Sequence, residues 1–147
     1  MPEKYSGKQV IKAGEKLIGE EIYSDDKAFN AAFDILSYWR FSHEIALENA
    51  LFILQGVSLE KDKKAIFAKR LKRYVSIVRK LRRFPGMKLR KMQDIGGCRA
   101  IVSNPKKLTQ IVRELRRRSE FKNGNGKIRY KDYIANPKDD GYRGYHL

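Results

Sequence analysis

The partition of charge constrains this chain more than any other feature. Residues 1–60 carry 6 basic and 10 acidic side chains, whereas residues 61–147 carry 27 basic and 7 acidic ones, a net −4 against a net +20. The acid-poor second part is therefore expected to meet phosphate. Such a field draws phosphate-bearing partners, whether nucleotide, RNA or acidic lipid, and charge alone does not choose among them. A solvated basic surface kept for solubility is the plainer alternative.

With 147 residues, 41% of them apolar, the chain is long enough for one domain with its own core. One cysteine, Cys98, and two histidines exclude a disulfide framework and a Cys/His zinc cluster, and imply a reducing, cytoplasmic setting. Met1-Pro2-Glu3-Lys4 does not begin a secretory signal, and no run approaches the roughly 18 apolar residues of a spanning helix. Neither secretion nor membrane insertion is expected.

Residues 1–23 are glycine-spaced, with a short helix expected around Val10 to Ile18. Ser24, followed by Asp25 and Asp26, predicts a helix N-cap, and Phe29, Ala32, Phe33, Leu36, Trp39, Leu47, Ala50, Leu51 and Leu54 continue a helical period as far as Gly56. The length of this span allows a break near Phe41 to His43, with His43 read as structural. Ser58 predicts the cap of a second helix, apolar at Phe67, Leu71, Tyr74, Val75, Val78 and Leu81 and ended by Pro85-Gly86. On that helix Lys69, Lys72, Ser76, Arg79, Lys80 and Arg83 would share an arc of about 100°.

Cys98 to Val102 reads as a buried strand, and Asn104-Pro105 opens a helix expected to run to about Arg118. Asn123-Gly124-Asn125-Gly126 is a turn, and Lys127 to Ile134 a further strand. Strand, helix and strand in this order predict an α/β (α+β) sandwich with a mixed sheet. Residues 1–60 form its helical N-terminal segment and residues 61–147 its core, all within one domain.

Three segments carry groups suited to phosphate chemistry. Arg70, Lys72, Ser76 and Lys80 combine cations with a hydroxyl, as a triphosphate requires. In an unbroken helix Arg70 lies about 160° from Lys72, so Lys72, Ser76 and Lys80 come first, and an ordinary basic amphipathic helix is the alternative. Next, Asp94 precedes Gly96-Gly97 and Arg99 and is the only acid between Asp62 and Glu114. A lone carboxylate among cations suits Mg²⁺ held against nucleotide phosphates, or equally a salt bridge to Arg99 or Lys91. Last, Lys131, Asp132, Tyr133, Pro137, Lys138, Asp140, Gly141, Tyr142 and His146 bring cations, a glycine, an aromatic ring and a histidine within sixteen residues. Tyr142 would offer a ring face to a base or fill a core, and its charged neighbours argue for the former.

These segments, over residues 66–147, resemble the synthetase domain of the RelA/SpoT family and its single-domain relatives, the small alarmone synthetases. The resemblance implies a nucleotidyltransferase-like mixed β-sheet flanked by helices. It also implies transfer of the β,γ-pyrophosphate of ATP to a ribose 3′-hydroxyl, most often of GDP or GTP, with Mg²⁺ as cofactor. By the same resemblance Arg70 stacks on adenine, Lys72, Ser76 and Lys80 hold ATP phosphates, Asp94 binds Mg²⁺ and Arg99 supports that site. Lys131 and Lys138 contact phosphates, Tyr142 stacks on the acceptor guanine, and His146 lies close to the acceptor, so that Asp94 and His146 are the catalytic candidates.

Two departures qualify the resemblance. Asp140 stands where the family usually has asparagine, and the sequence reaches Leu147 before the family's Glu-x-Gln segment. Without that glutamate the resemblance implies that these 147 residues alone are inactive or nearly so. Tyr38-Trp39-Arg40 with His43, and Met92 to Arg99, look closest to the toxic subgroup, whose members make adenosine alarmones or pyrophosphorylate the tRNA 3′ end. An antitoxin or an oligomeric partner then enters as an expectation. A rival of another class is a non-catalytic nucleotide- or RNA-binding regulatory module, whose RNA binding would survive Asp94→Ala.

Overall fold

Ser6 begins the first helix with a reciprocal cap: its hydroxyl accepts from the Gln9 N–H (3.3 Å) while its own N–H donates to the Gln9 carboxamide (2.8 Å). The computed structural model describes residues 4–147. The helices are α1 (Gly7–Ile18), α2 (Asp26–Phe41), α3 (Glu44–Lys61), α4 (Tyr74–Arg83) and α5 (Pro105–Arg117), and the strands are β1 (Ile66–Leu71), β2 (Gly96–Ile101), β3 (Lys131–Asp132) and β4 (Tyr145–His146). The fold is thus a mixed α+β one with a helical N-terminal part. Its strands form two antiparallel pairs, β1 with β2 and β3 with β4. No described helix is long and apolar enough to cross a membrane.

Two compact units make up the chain, one of Met1–Leu51 and Ala68–Arg99, the other of Phe52–Phe67 and Ala100–Leu147. In the first, Val10, Ala13 and Leu17 of α1 join Ala32 and Leu36 of α2, Ile77 and Leu81 of α4, and Leu89, Met92 and Ile95 in one buried cluster. Fully burying a Leu or Ile stabilises by roughly 1.5–3 kcal/mol, so this cluster supplies most of the unit's cohesion. Gly14 is what lets α1 approach so closely, because a Cβ there would lie 2.8 Å from the Leu89 Cβ. Gly14→Ala, which helix propensity alone would favour by about 1 kcal/mol, is therefore expected to destabilise by about 1–3 kcal/mol in chemical denaturation.

In the second unit Val57 of α3 packs with Ile111 and Leu115 of α5, flanked by Ile53, Leu54, Val102 and Phe121. Asp62, just past α3, is buried, and its carboxylate accepts from the Ser103 N–H (2.7 Å), the Ser103 hydroxyl (2.7 Å), the Lys107 ammonium (3.0 Å) and the Lys64 N–H (3.1 Å). The Ser103 hydroxyl and N–H, with Lys107, outweigh the cost of burial and hold this carboxyl far below the usual carboxylate range. Asn104 caps α5 through Lys107 N–H (3.0 Å), with Pro105 in its first turn, as the sequence predicts.

Several expectations are corrected. Ser24 ends a short 3-10 turn, and Asp25 caps α2 instead, its carboxylate accepting from the Ala28 N–H (3.0 Å). The break does fall at Ser42-His43, but Gly56 does not stop α3, which runs on to Lys61. With nothing within 4 Å of where a Cβ would sit, that glycine costs α3 only its modest helix penalty. Ser58 lies buried inside α3 and caps nothing. The helix expected from Ser58 to Leu81 is instead the end of α3, strand β1 and α4, so Lys69 and Arg70 stand on a strand and the single basic arc does not form. Strand β2 begins at Gly96 and alternates in exposure instead of being buried. Of Lys127 to Ile134 only Lys131–Asp132 is strand, because the Asp132 carboxylate accepts from Ile134 and Ala135 N–H (3.0 and 2.9 Å) and turns the chain. The expected helix around Val10 to Ile18 is present and starts earlier, at Gly7.

Candidate functional site

Lys72 lies in the short link between β1 and α4, Lys80 is one turn beyond Ser76 on α4, and Asp94 lies just before β2. The link is fixed because Lys72 N–H donates to Ile95 O (2.7 Å), which sets Lys72 beside the residue following Asp94. The two ammonium groups converge on the carboxylate: Lys72 Nζ donates to Asp94 Oδ2 (2.9 Å) and Lys80 Nζ to Oδ1 (2.7 Å). Partial burial opposes ionisation of Asp94, but the hydrogen bonds and charges of Lys80 and Lys72 outweigh it and hold its carboxyl below the usual range. Asp94 is thus an anion at neutral pH, paired with these lysines instead of Arg99 or Lys91.

The geometric conflict between Arg70 and Lys72 disappears, since neither lies on a helix. Arg70 on β1 and Arg99 on β2 are both exposed. Ser76 is half-buried in the first turn of α4. Among the described residues no cluster of three or more His, Cys, Asp or Glu side chains exists that could cage a metal. Asp94, whose side chain is 49% exposed, fits Mg²⁺ in the other common way, as one carboxylate ligand with phosphate oxygens and water completing the shell.

The second unit gathers the remaining candidates. β3 and β4 set Lys131 opposite His146 and Asp132 opposite Tyr145. The Tyr142 hydroxyl lies 2.9 Å from His146 Nε2, and the Lys138 ammonium sits over the rings of Tyr133 (4.7 Å) and Tyr142 (5.2 Å). Tyr142 is 43% exposed, so its ring is not a core residue. Partial burial, followed by the charges of Lys138 and Lys131, lowers the pKa of His146, which keeps the imidazole neutral at pH 7 and able to accept a proton.

Gly141, at φ 80°, takes the left-handed conformation that closes this loop, with Gly141 N–H donating to Lys138 O (2.8 Å). Asp140 Oδ1 accepts from Tyr142 N–H (3.0 Å). An asparagine oxygen makes the same turn, so the Asp140 departure preserves the loop's shape and adds only a charge.

His43 is structural, its Nδ1 lying 2.7 Å from Trp39 O and its ring edge-on to the Trp39 indole. Two residues escaped the sequence reading as participants. Asp62 is a buried anchor, and Arg40, at the end of α2, donates from Nε to the Lys72 carbonyl (2.8 Å) while its guanidinium covers the Tyr74 ring (4.8 Å). The available signal was that Arg40 is the sole arginine among the six basic residues of positions 1–60.

Comparison with curated proteins returns no match. The model of the region found in RelA / SpoT proteins matches residues 69–147, more than half of the chain and a stretch that contains Asp94 with its two lysines as well as the Lys131–His146 loop. The chain belongs to the RelA/SpoT family, whose synthetases are pyrophosphokinases of the (p)ppGpp type.

Proposed function

We propose that a protein carrying this chain is a Mg²⁺-dependent pyrophosphokinase of the small alarmone synthetase kind, which transfers the β,γ-pyrophosphate of ATP to the 3′-hydroxyl of GDP or GTP. The observation that carries this reading is the convergence of Lys72 and Lys80 on the ionised Asp94. In the reaction the acceptor 3′-oxygen bonds to the β-phosphorus, the bond from that phosphorus to the α-phosphate bridging oxygen breaks, and AMP leaves with the electron pair. Mg²⁺, when bound, screens the phosphate charges and stabilises the charge that develops on transfer.

Asp94 would be the protein ligand to that ion, and RelA/SpoT synthetases generally use Mg²⁺. An incoming triphosphate would replace Asp94 as partner of the Lys72 and Lys80 ammonium groups, so that the lysines exchange one anion for another and the Asp94 carboxylate would be free to hold the ion. Ser76 adds a hydroxyl donor, Arg70 offers a planar guanidinium to adenine, and Arg99 supports the Asp94 segment. On the acceptor side Tyr142 supplies a stacking face for guanine, Lys131 and Lys138 take its phosphates, and the neutral His146 accepts the 3′-hydroxyl proton.

The tRNA 3′ end presents the same hydroxyl, and the exposed Arg113, Arg116, Arg117 and Lys122 of the second unit favour it as the alternative acceptor. Incubating a protein that carries this chain with γ-labelled ATP, Mg²⁺ and GDP, GTP, ADP or tRNA in turn separates these cases. The expected result is label on the guanine nucleotide with equimolar AMP. Label on tRNA or ADP would reassign the acceptor, and label on none would overturn the transfer reaction.

A further inference from the structure

The backbone of Lys72 is tied on both sides. Its N–H donates to Ile95 O (2.7 Å), and its carbonyl accepts from Arg40 Nε (2.8 Å). Arg40 reaches this point from the last turn of α2, where a cation also complements the helix dipole. Its guanidinium lies over the ring of Tyr74 (4.8 Å), the first residue of α4, and over Phe41 (5.1 Å). Tyr74 in turn packs on Phe33 of α2 (4.7 Å between centroids). One side chain thus grips both ends of the two-residue link between β1 and α4, through its hydrogen bond to residue 72 and its ring contact with residue 74.

Without Arg40, the Lys72 end of this link would keep only its N–H bond to Ile95 O. Arg73, the cap position of α4, makes no side-chain capping bond, and β1 ends at Leu71. With its backbone held beside Ile95, the Lys72 ammonium reaches Asp94.

We infer that Arg40 is a positioning residue for nucleotide capture: it holds the Lys72 backbone so that the Lys72 ammonium stays aligned with Asp94 and Lys80, without itself touching the nucleotide. This rests on reading Lys72 as a phosphate-binding lysine. Lysine cannot substitute, because it lacks an N–H held in the plane of a ring-stacking group.

The test uses Arg40→Gln and Arg40→Lys in the full chain, read by amide hydrogen exchange at Lys72 and by calorimetric titration with ATP and Mg²⁺. Losing the brace is expected to speed exchange of the Lys72 amide by about tenfold, with core amides of α1 such as Leu17 unchanged, and to weaken ATP by about tenfold. Arg40→Lys, which keeps the charge over Tyr74, is expected to expose Lys72 as Arg40→Gln does.

Wild-type exchange at Lys72 in either variant overturns the inference. So does faster exchange at Lys72 with unchanged ATP affinity, or equal acceleration at Leu17, which would mark a general loss of stability. If the wild type binds no ATP, the nucleotide assignment fails together with Arg40's part in it, and the exchange data still decide separately whether Arg40 holds Lys72.

Discussion

Replacing Lys72 and Lys80 together by glutamine is expected to weaken binding of ATP with Mg²⁺ by about 100-fold, with each single variant losing about tenfold. Each lysine contributes a charge-assisted hydrogen bond, worth about 1.5–3 kcal/mol where the geometry is good. The Lys72 side chain is only 14% exposed and that of Lys80 29%, so neither is a freely screened surface cation. The fold should survive, because Asp94 is half-exposed and water can solvate it once its partners are gone. Circular dichroism and a thermal scan provide the control. Lys69→Gln, which removes a more exposed charge from the neighbouring strand, should change ATP affinity far less.

The largest effect on stability is expected at Asp62. Asp62→Ala leaves the Lys107 ammonium and the Ser103 N–H and hydroxyl without their shared acceptor, and should lower the melting temperature by on the order of 10 °C. The pH dependence follows from the direction of the shift. The carboxyl pKa is depressed in the folded chain, chiefly by the Ser103 hydroxyl and N–H, so its stabilisation is fully present above the unfolded value near about 4. That stabilisation is lost as the pH falls through the depressed folded value. The wild type should therefore lose thermal stability on acidification below about pH 4, and Asp62→Asn, which cannot titrate, should show a shallower decline over the same range.

The helices were legible where local signals agreed with tertiary structure. Asn104-Pro105 marks the start of α5 because capping and proline geometry are local, and the Ser42-His43 break is visible as an excess of length. β1 was not legible. Ile66-Phe67-Ala68-Lys69-Arg70-Leu71 lacks period-two alternation, since its exposure is governed by pairing with one neighbouring strand and not by a buried face. Ala, Lys, Arg and Leu are also strong helix formers, so propensity and pattern together favoured the wrong element there.

Lys72, Lys80 and Asp94 meet although the helix expected to carry both lysines is partly strand and link, because the Lys72 N–H bond to Ile95 O sets residue 72 beside Asp94 and α4 brings in Lys80. Lys131, Lys138, Tyr142 and His146 meet because a left-handed Gly141 and a cross-strand pair close their loop, both encoded within sixteen residues. Arg40 and Asp62 were not legible because their roles depend on partners far along the chain, at Lys72 and Ser103.

The central claim is that Asp94 and its two lysines form a metal-assisted triphosphate site. Calorimetric titration of ATP into wild type and Asp94→Asn, each with and without Mg²⁺, tests it most directly. The account predicts that Mg²⁺ strengthens ATP binding to the wild type at least about tenfold and has little effect on Asp94→Asn, which keeps both lysines but cannot hold the ion. Equal Mg²⁺ dependence in the two proteins, or no ATP binding by the wild type, would contradict it.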